Sequence, residues 1–347
     1  MATFEGTAVG DPITGTYYAD VIYSYGGNDT IDGDLGDDYI DAGSGNDVVM
    51  GDDGDDFIDG GSGLNDLDGG LGNDTIYGGS DNDTITGGLQ DDVLYGGGGN
   101  DTFKHAGNDG WDSYYGGPGG MNDEDTILVE QVYEYASWGQ IKISSLDSIE
   151  KIENQDTEKD VDILVDGAID FTDVTLVNIR DIIGQDNDDY ITGSTGSDSI
   201  LGQGGNDTLN GAVGNDSLYG GDGADHLLGG SGADVLSGDA GADTLYGGAD
   251  NDVLSGGEGT DYLLGGLGAD VLTGGTGVDY FYFSEDATVD TVTDFTDGED
   301  ILVFQDATAL TLFDFNGDAA FELNGTSYII LEGVTVDQID PSDYVFI

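Results

Sequence analysis

The stretches Gly229-Gly-Ser-Gly-Ala-Asp-Val-Leu-Ser237 and, far upstream, Gly69-Gly-Leu-Gly-Asn-Asp-Thr-Ile-Tyr77 obey one rule: glycine at the first, second and fourth places, aspartate at the sixth, an aliphatic residue at the eighth. Read outward in steps of nine, the frame runs without an insertion from Gly6 to Lys104 and again from Gly184 to Tyr282, eleven units each time. The sixth place reads Asp11, Asp20, Asp29, Asp38, Asp47, Asp56, Asn65, Asp74, Asp83, Asp92 and Asp101 in the first run. In the second it reads Asp189, Asp198, Asp207, Asp216, Asp225, Asp234, Asp243, Asp252, Asp261, Asp270 and Asp279. The eighth place is apolar in all 22 units, with Ile favoured in the first run and Leu in the second. A period held this long defines the architecture before any single residue is weighed.

Within one unit the last three residues form a short strand, whose middle side chain faces one way and whose neighbours face the other. The first six form a turn. Glycine there permits positive φ and lets carbonyl oxygens crowd together without a Cβ between them. One unit cannot bury its single apolar residue, but two make a coil of a flattened solenoid, and stacked coils bury a column of Ile or Leu between two parallel sheets. Both runs end on phenylalanine, Phe103 and Phe281, where a larger side chain is expected to plug the open end of the core.

Loops on the same side recur every 18 residues, so Asp29 falls beside Asp47 and Asp207 beside Asp225. Two carboxylates one strand spacing apart repel unless a cation lies between them. One carboxylate from each neighbour, with loop carbonyls, makes an all-oxygen cage of the kind Ca²⁺ prefers. The expected carboxylate ligands are Asp29, Asp38, Asp47, Asp56, Asp74, Asp83, Asp92 and Asp101 in the first run and the whole series from Asp189 to Asp279 in the second. Backbone oxygens of loop residues such as Gly69, Gly70, Gly72, Gly220, Gly221, Gly223, Gly229, Gly230 and Gly232 are expected to complete them. Same-side neighbours give room for up to about 18 ions.

These residues closely resemble the RTX nonapeptide, the Ca²⁺-binding repeat of the parallel β-roll, over 198 of the 347 residues. The resemblance implies an all-β fold, a right-handed parallel β-solenoid. It also implies a chain that stays unfolded in cytoplasm poor in Ca²⁺, leaves through a type I secretion channel and folds outside. Some units depart from the pattern: Val9, Tyr18, Asp81, Gln90, Asn187 and Asp250 replace the fourth-place glycine. Weak or empty sites are expected at the start of each run, and the loop with Asn65 is a poorer ligand because an amide replaces the carboxylate.

Composition points the same way. There are 64 Gly, 73 acidic residues and only 5 Lys and Arg, for a formal charge of −68, and Lys142, Lys151, Lys159 and Arg180 lie in one middle segment. A chain so charged has no means of displacing counterions from nucleic acid or of adhering to an anionic membrane. A hydrophobic fraction of 37%, with 19 Tyr and 12 Phe, is too apolar for an acidic disordered chain. Cysteine is absent, which removes disulfides and thiolate metal sites. The first ten residues lack the basic and apolar regions of a secretory signal, and no apolar run is long enough to cross a bilayer, so export is expected without an N-terminal signal.

Four regions follow: a first roll over 1–104, a β-rich insert over 105–183, a second roll over 184–282, and a C-terminal cap and secretion signal over 283–347. Strand-like alternation marks Ile141-Lys-Ile, Ile149–Asn154, Val161–Val165 and Val174–Ile179, which are expected to continue or brace the solenoid. Asp112-Ser-Tyr and Asp125-Thr-Ile keep the loop-end spacing behind insertions. The insert gathers Trp111, Tyr114, Tyr115, Tyr133, Tyr135 and Trp138, a platform for stacking sugars or a cover for the broken core. In the tail, Asn324-Gly325 reads as a hairpin turn.

Catalysis is not expected. The two histidines, His105 and His226, belong to no H-E-x-x-H helix, and no G-x-S-x-G elbow occurs. The reading favoured is a secreted calcium-binding structural protein of a surface layer, sheath or biofilm matrix. The alternative is a noncatalytic polysaccharide-binding or adhesin module built on the aromatic insert. Expected partners are calcium, the type I machinery during export, and either further copies of the chain or extracellular polysaccharide.

Overall fold

The computed structural model describes residues 1–105, 110–118, 124–129, 138–155, 160–286, 288–305 and 308–347. Lys159 and the aromatics Tyr133 and Tyr135 therefore lie outside the described residues, as does the side chain of Trp138. The fold is a parallel β-solenoid in two compact units, and its one described helical element is the 3-10 turn Val336–Gln338.

The first unit comprises Met1–Val165 with Asp173–Arg180. Its eighth-place residues stack in two columns 18 residues apart: Ile22, Ile40, Ile58, Ile76 and Leu94 in one sheet, and Ile31, Val49, Leu67, Ile85 and Phe103 in the other. All are at most 1% exposed. Burying one such side chain contributes about 1.5–3 kcal/mol, so the stacked column, and no single coil, carries the fold.

Phe103 does not close an open end, contrary to the sequence expectation. Its strand Thr102–His105 pairs with Thr126–Val129, and the core column continues through Ile127 and Ile152. Beside it, Leu94 pairs with Tyr114, whose buried ring meets Phe103 edge-on at 5.6 Å. The coils survive past Lys104 because the Asp-x-apolar triplet survives. The loop-end acids there fall 20, 24 and 25 residues apart in place of 18.

The second unit comprises Asp166–Thr172 with Asp181–Ile347. One column runs through Ile169, Ile191, Leu209, Leu227, Leu245, Leu263, Phe281 and Leu302. The other runs through Ile182, Ile200, Leu218, Leu236, Leu254, Leu272 and Val292. Beyond the repeats, Val289–Val292 pairs with Ser327–Leu331, which turns back antiparallel onto Asp318–Leu323. That hairpin turns at Asn324 (φ 53°) and Gly325 (φ 83°), the left-handed pair that a type I′ turn requires.

Candidate metal centre

The loops owe their shape to two left-handed positions. At the second place Gly70, Gly221 and Gly230 have φ of 106°, 108° and 109°, and at the fourth Gly72, Gly223 and Gly232 have 139°, 154° and 126°. Asp81, Gln90 and Asp250 hold φ of 78°, 87° and 78° at the fourth place, so these departures from glycine keep the loop conformation at a cost in backbone strain.

This turn delivers the sixth-place carboxylate inward. Apart from Asp11 and Asp198, which are half-buried, the sixth-place aspartates are at most 3% exposed. Their two oxygens have different roles. The backbone N–H of each Asp donates to Oδ1 of the Asp one coil further on: Asp29 to Asp47, Asp38 to Asp56, Asp207 to Asp225 and Asp225 to Asp243, all at 2.8 Å. Oδ2 is buried and, among the described residues, receives no hydrogen bond in Asp29, Asp38, Asp47, Asp56, Asp74 and Asp83, nor in Asp207, Asp216, Asp225, Asp234, Asp243, Asp252, Asp261, Asp270 and Asp279. Asp92 and Asp101 are as deeply buried, their Oδ1 atoms accepting from Asp74 and Asp83 at 2.8 Å.

The first-place glycines explain where Oδ2 points. A Cβ on Gly229 would fall 2.5 Å from the carbonyl oxygen of Gly247 and closer still to Asp234 Oδ2; Gly69 and Gly220 stand in the same relation to Asp74 and Asp225. A carboxylate oxygen thus shares a small cradle with a carbonyl oxygen of the next coil. Two facing acceptors with no donor between them repel, and burial denies them water. A proton or a cation resolves the conflict. Burial first, then neighbouring Asp charges, pushes Asp56, Asp83, Asp216, Asp243 and Asp252 up to about 7, against an ordinary 3.8. The same burial lifts Asp38, Asp74, Asp207 and Asp279 to about 6.

Asn65 shows the conflict resolved by chemistry internal to the chain. Its Oδ1 accepts from Asp47 N–H at 3.1 Å as an aspartate would, and its Nδ2 donates to Gly78 O at 3.4 Å, across the cradle. The runs also begin differently from their middles. Asp20 Oδ2 accepts from Thr16 N–H and hydroxyl at 2.8 and 2.6 Å, Asp189 Oδ2 from Gln185 N–H at 2.9 Å, and Asp198 Oδ2 from Ser194 N–H at 2.7 Å. At these loops the second-place residue, not left-handed, folds its N–H onto the carboxylate. Asp189 and Asp198, expected as ligands from the sequence, are therefore satisfied by their own loops.

The ranks extend past the repeats. Asp92 and Asp101 donate to Asp112 and Asp125 Oδ1, and Asp125 in turn to Glu150 Oε2. Asp270 and Asp279 donate to Asp290 and Asp300 Oδ1 at 3.1 and 3.0 Å, and burial lifts Asp290 to about 7. Asp290 and Asp300 were missed because they lie outside the nine-residue frame; the triplets Asp290-Thr-Val and Asp300-Ile-Leu, read without their loops, were the signal.

Elsewhere, His105 Nδ1 lies 3.1 Å from the Tyr114 hydroxyl, which donates to Asp112 Oδ2 at 3.1 Å, and His226 faces outward. Tyr115, from the aromatic group of the insert, stacks on Tyr95 at 4.7 Å. Among the described residues no three His, Asp or Glu side chains converge to hold a metal by themselves. A cation in these loops must draw on backbone carbonyls, which the cradles supply. The donor set is oxygen only, which suits a hard cation.

The architecture is thus that of a calcium β-roll. A family model of the RTX calcium-binding nonapeptide repeat (4 copies) matches residues 5–40, 33–67, 41–76, 68–103, 183–218, 219–254 and 255–288, more than half of the chain. The chain belongs to this family of calcium-binding repeat proteins. Among solved structures, the extracellular lipase LipA from Serratia marcescens matches at 19% identity and a TM-score of 0.23, over 82% of this chain and 40% of the lipase chain. The chain thus spans well under half the length of that protein. No curated protein matches it.

Proposed function

We propose that this chain is a secreted structural protein that folds on binding extracellular Ca²⁺ and contributes to a surface layer, sheath or biofilm matrix. The observation that carries the reading is the double rank of buried Oδ2 atoms facing carbonyl oxygens with no donor between them. The proposed ligands are the sixth-place Asp residues whose Oδ2 the chain leaves unpaired, together with the buried Asp92 and Asp101 and the loop carbonyls. Asp189 and Asp198 fall outside the set.

Bound Ca²⁺ supplies positive charge between the facing oxygens. The chain's own residues do the rest: the Oδ1 atoms hold successive coils in register, and the glycines admit the oxygens. Each ion that binds only the folded chain adds folding free energy by mass action. Extracellular sites of this weak class work at roughly 10⁻⁴–10⁻³ M, far above cytosolic Ca²⁺, so one ion gradient keeps the chain unfolded inside and folds it outside. Residues 283–347 are proposed to cap the second roll and to address the type I machinery.

The deciding experiment is light scattering with far-UV dichroism, in chelator and then in about 10 mM Ca²⁺. An expanded monomer with little β-signal that becomes large ordered particles supports the reading. Equal β-signal in both conditions would overturn calcium-coupled folding. A compact monomer in Ca²⁺ would overturn the matrix role and leave a secreted binding module.

A further inference from the structure

The outer faces of the sheets carry aromatic rings at regular intervals. In the first unit Tyr77, Tyr95 and Tyr115 stand at register positions on adjacent strands and stack at 4.5 and 4.7 Å, nearly parallel at 4° and 13°. Tyr39 and Phe57 extend the ladder, with Phe57 5.1 Å from Tyr39 and 5.4 Å from Tyr77. One ring per strand spacing fills such a ladder and covers both faces of every inner ring.

In the second unit the corresponding ninth-place column reads Tyr246, Leu264, Tyr282 on adjacent strands. The middle rung is a leucine. Tyr246 and Tyr282 spring from strands two spacings apart, roughly 9.5 Å at the backbone, with the shorter Leu264 side chain on the strand between them. The ring of Tyr262, on the leucine's own strand, stacks on Tyr280 at 4.9 Å and stands 6.3 Å from Tyr282, forming a side wall. With Thr244 and Gln305 these residues line an open cavity of about 350 Å³, and Tyr246 is 44% exposed.

We propose that this slot binds one pyranose ring of a neutral glycan. The C–H bonds on a sugar ring face carry partial positive charge and meet the negative faces of Tyr246 and Tyr282. The Gln305 amide, the Thr244 hydroxyl and the phenols supply uncharged donors and acceptors for sugar hydroxyls, whereas an intruding aromatic side chain would leave them unpaired. Among the described residues no carboxylate lines the cavity, although the chain carries a formal charge of −68. A neutral ring meets no repulsion there, and an anionic sugar meets the field of the whole chain. The slot lies on an outer sheet face, and the inference stands apart from the matrix role.

The test is saturation-transfer NMR on the full chain in Ca²⁺, with maltohexaose, cellohexaose and mannohexaose as probes and p-cresol and an oligogalacturonate as comparators. At least one neutral hexaose should bind, with the oligogalacturonate silent. Leu264→Tyr completes the ladder, so it should keep the calcium midpoint of folding and abolish sugar binding. Tyr246→Ser, at an exposed position, should weaken binding at least tenfold. The inference is overturned if no neutral hexaose binds, if binding persists in Leu264→Tyr and Tyr246→Ser, or if p-cresol alone occupies the site.

Discussion

The backbone N–H of Asp207 donates to Oδ1 of Asp225 at 2.8 Å, one coil further along, while Oδ2 of Asp225 faces the carbonyl oxygen of Gly238 and receives no hydrogen bond. One oxygen holds the register and the other awaits a charge. The two roles separate in a substitution. Asp225→Asn keeps the acceptor and adds a donor toward Gly238, so it should lower the calcium stoichiometry, measured by titration calorimetry, and leave the chain better folded in chelator at neutral pH. Asp225→Ala should also leave the Asp207 N–H unpaired, costing about 1–3 kcal/mol. Identical calcium stoichiometry in wild type and Asp225→Asn would remove Oδ2 from the site.

Asn65→Asp is the converse. Its amide spans the cradle to Gly78, and replacing it with a carboxylate should create the missing member of the first rank. We expect higher calcium stoichiometry, a further loss of the residual β-signal in chelator at pH 7, and no loss of stability in saturating Ca²⁺. An unchanged residual β-signal in chelator would show that the amide bond contributes nothing.

The response to pH in chelator should run opposite to ordinary acid denaturation. Asp56, Asp83, Asp216, Asp243 and Asp252 reach about 7 when folded, against 3.8. Between these values the folded chain holds more protons than the unfolded one, so stability falls as pH rises. Thermal melts in chelator should give the most stable roll near pH 4 and progressive loss through pH 6–7, with saturating Ca²⁺ removing the slope. A melting temperature that climbs with pH in chelator would contradict the assignment.

Glycines should differ sharply in tolerance. Gly229→Ala forces a Cβ against Asp234 Oδ2 and Gly247 O, whereas Gly98→Ala meets nothing within 4 Å. Denaturant melts in Ca²⁺ should show the first losing several kcal/mol. The second should change by no more than about 0.5 kcal/mol. Equal losses would mean that the cradle is not closely packed.

The nine-residue frame made the roll, its core columns and its carboxylate ranks legible because each depends on one fixed place in the unit. What it hid depends on two places at once. The stacked rings shift from the seventh place, at Tyr39 and Phe57, to the ninth, at Tyr77 and Tyr95, so no single column of the repeat holds the whole ladder. The pairing of Thr16 with Asp20 and of Ser194 with Asp198 turns on the backbone conformation of the second place. Asp290 and Asp300 were hidden by turn length alone, since the repeat is conserved in three dimensions after its spacing has drifted.

The hydrogen bonds between successive aspartates all point one way, each N–H reaching toward the later coil. At the N-terminal end of the first roll no earlier aspartate N–H reaches Asp20, and Ala2 N–H donates to its Oδ1 at 2.5 Å. At the C-terminal end of the second roll the last N–H groups, of Asp270 and Asp279, find acceptors in Asp290 and Asp300 of the tail. In the second roll each buried aspartate N–H from Asp189 onward is therefore met by the coil after it, and the last two are met by the tail, so the array is polar along its axis.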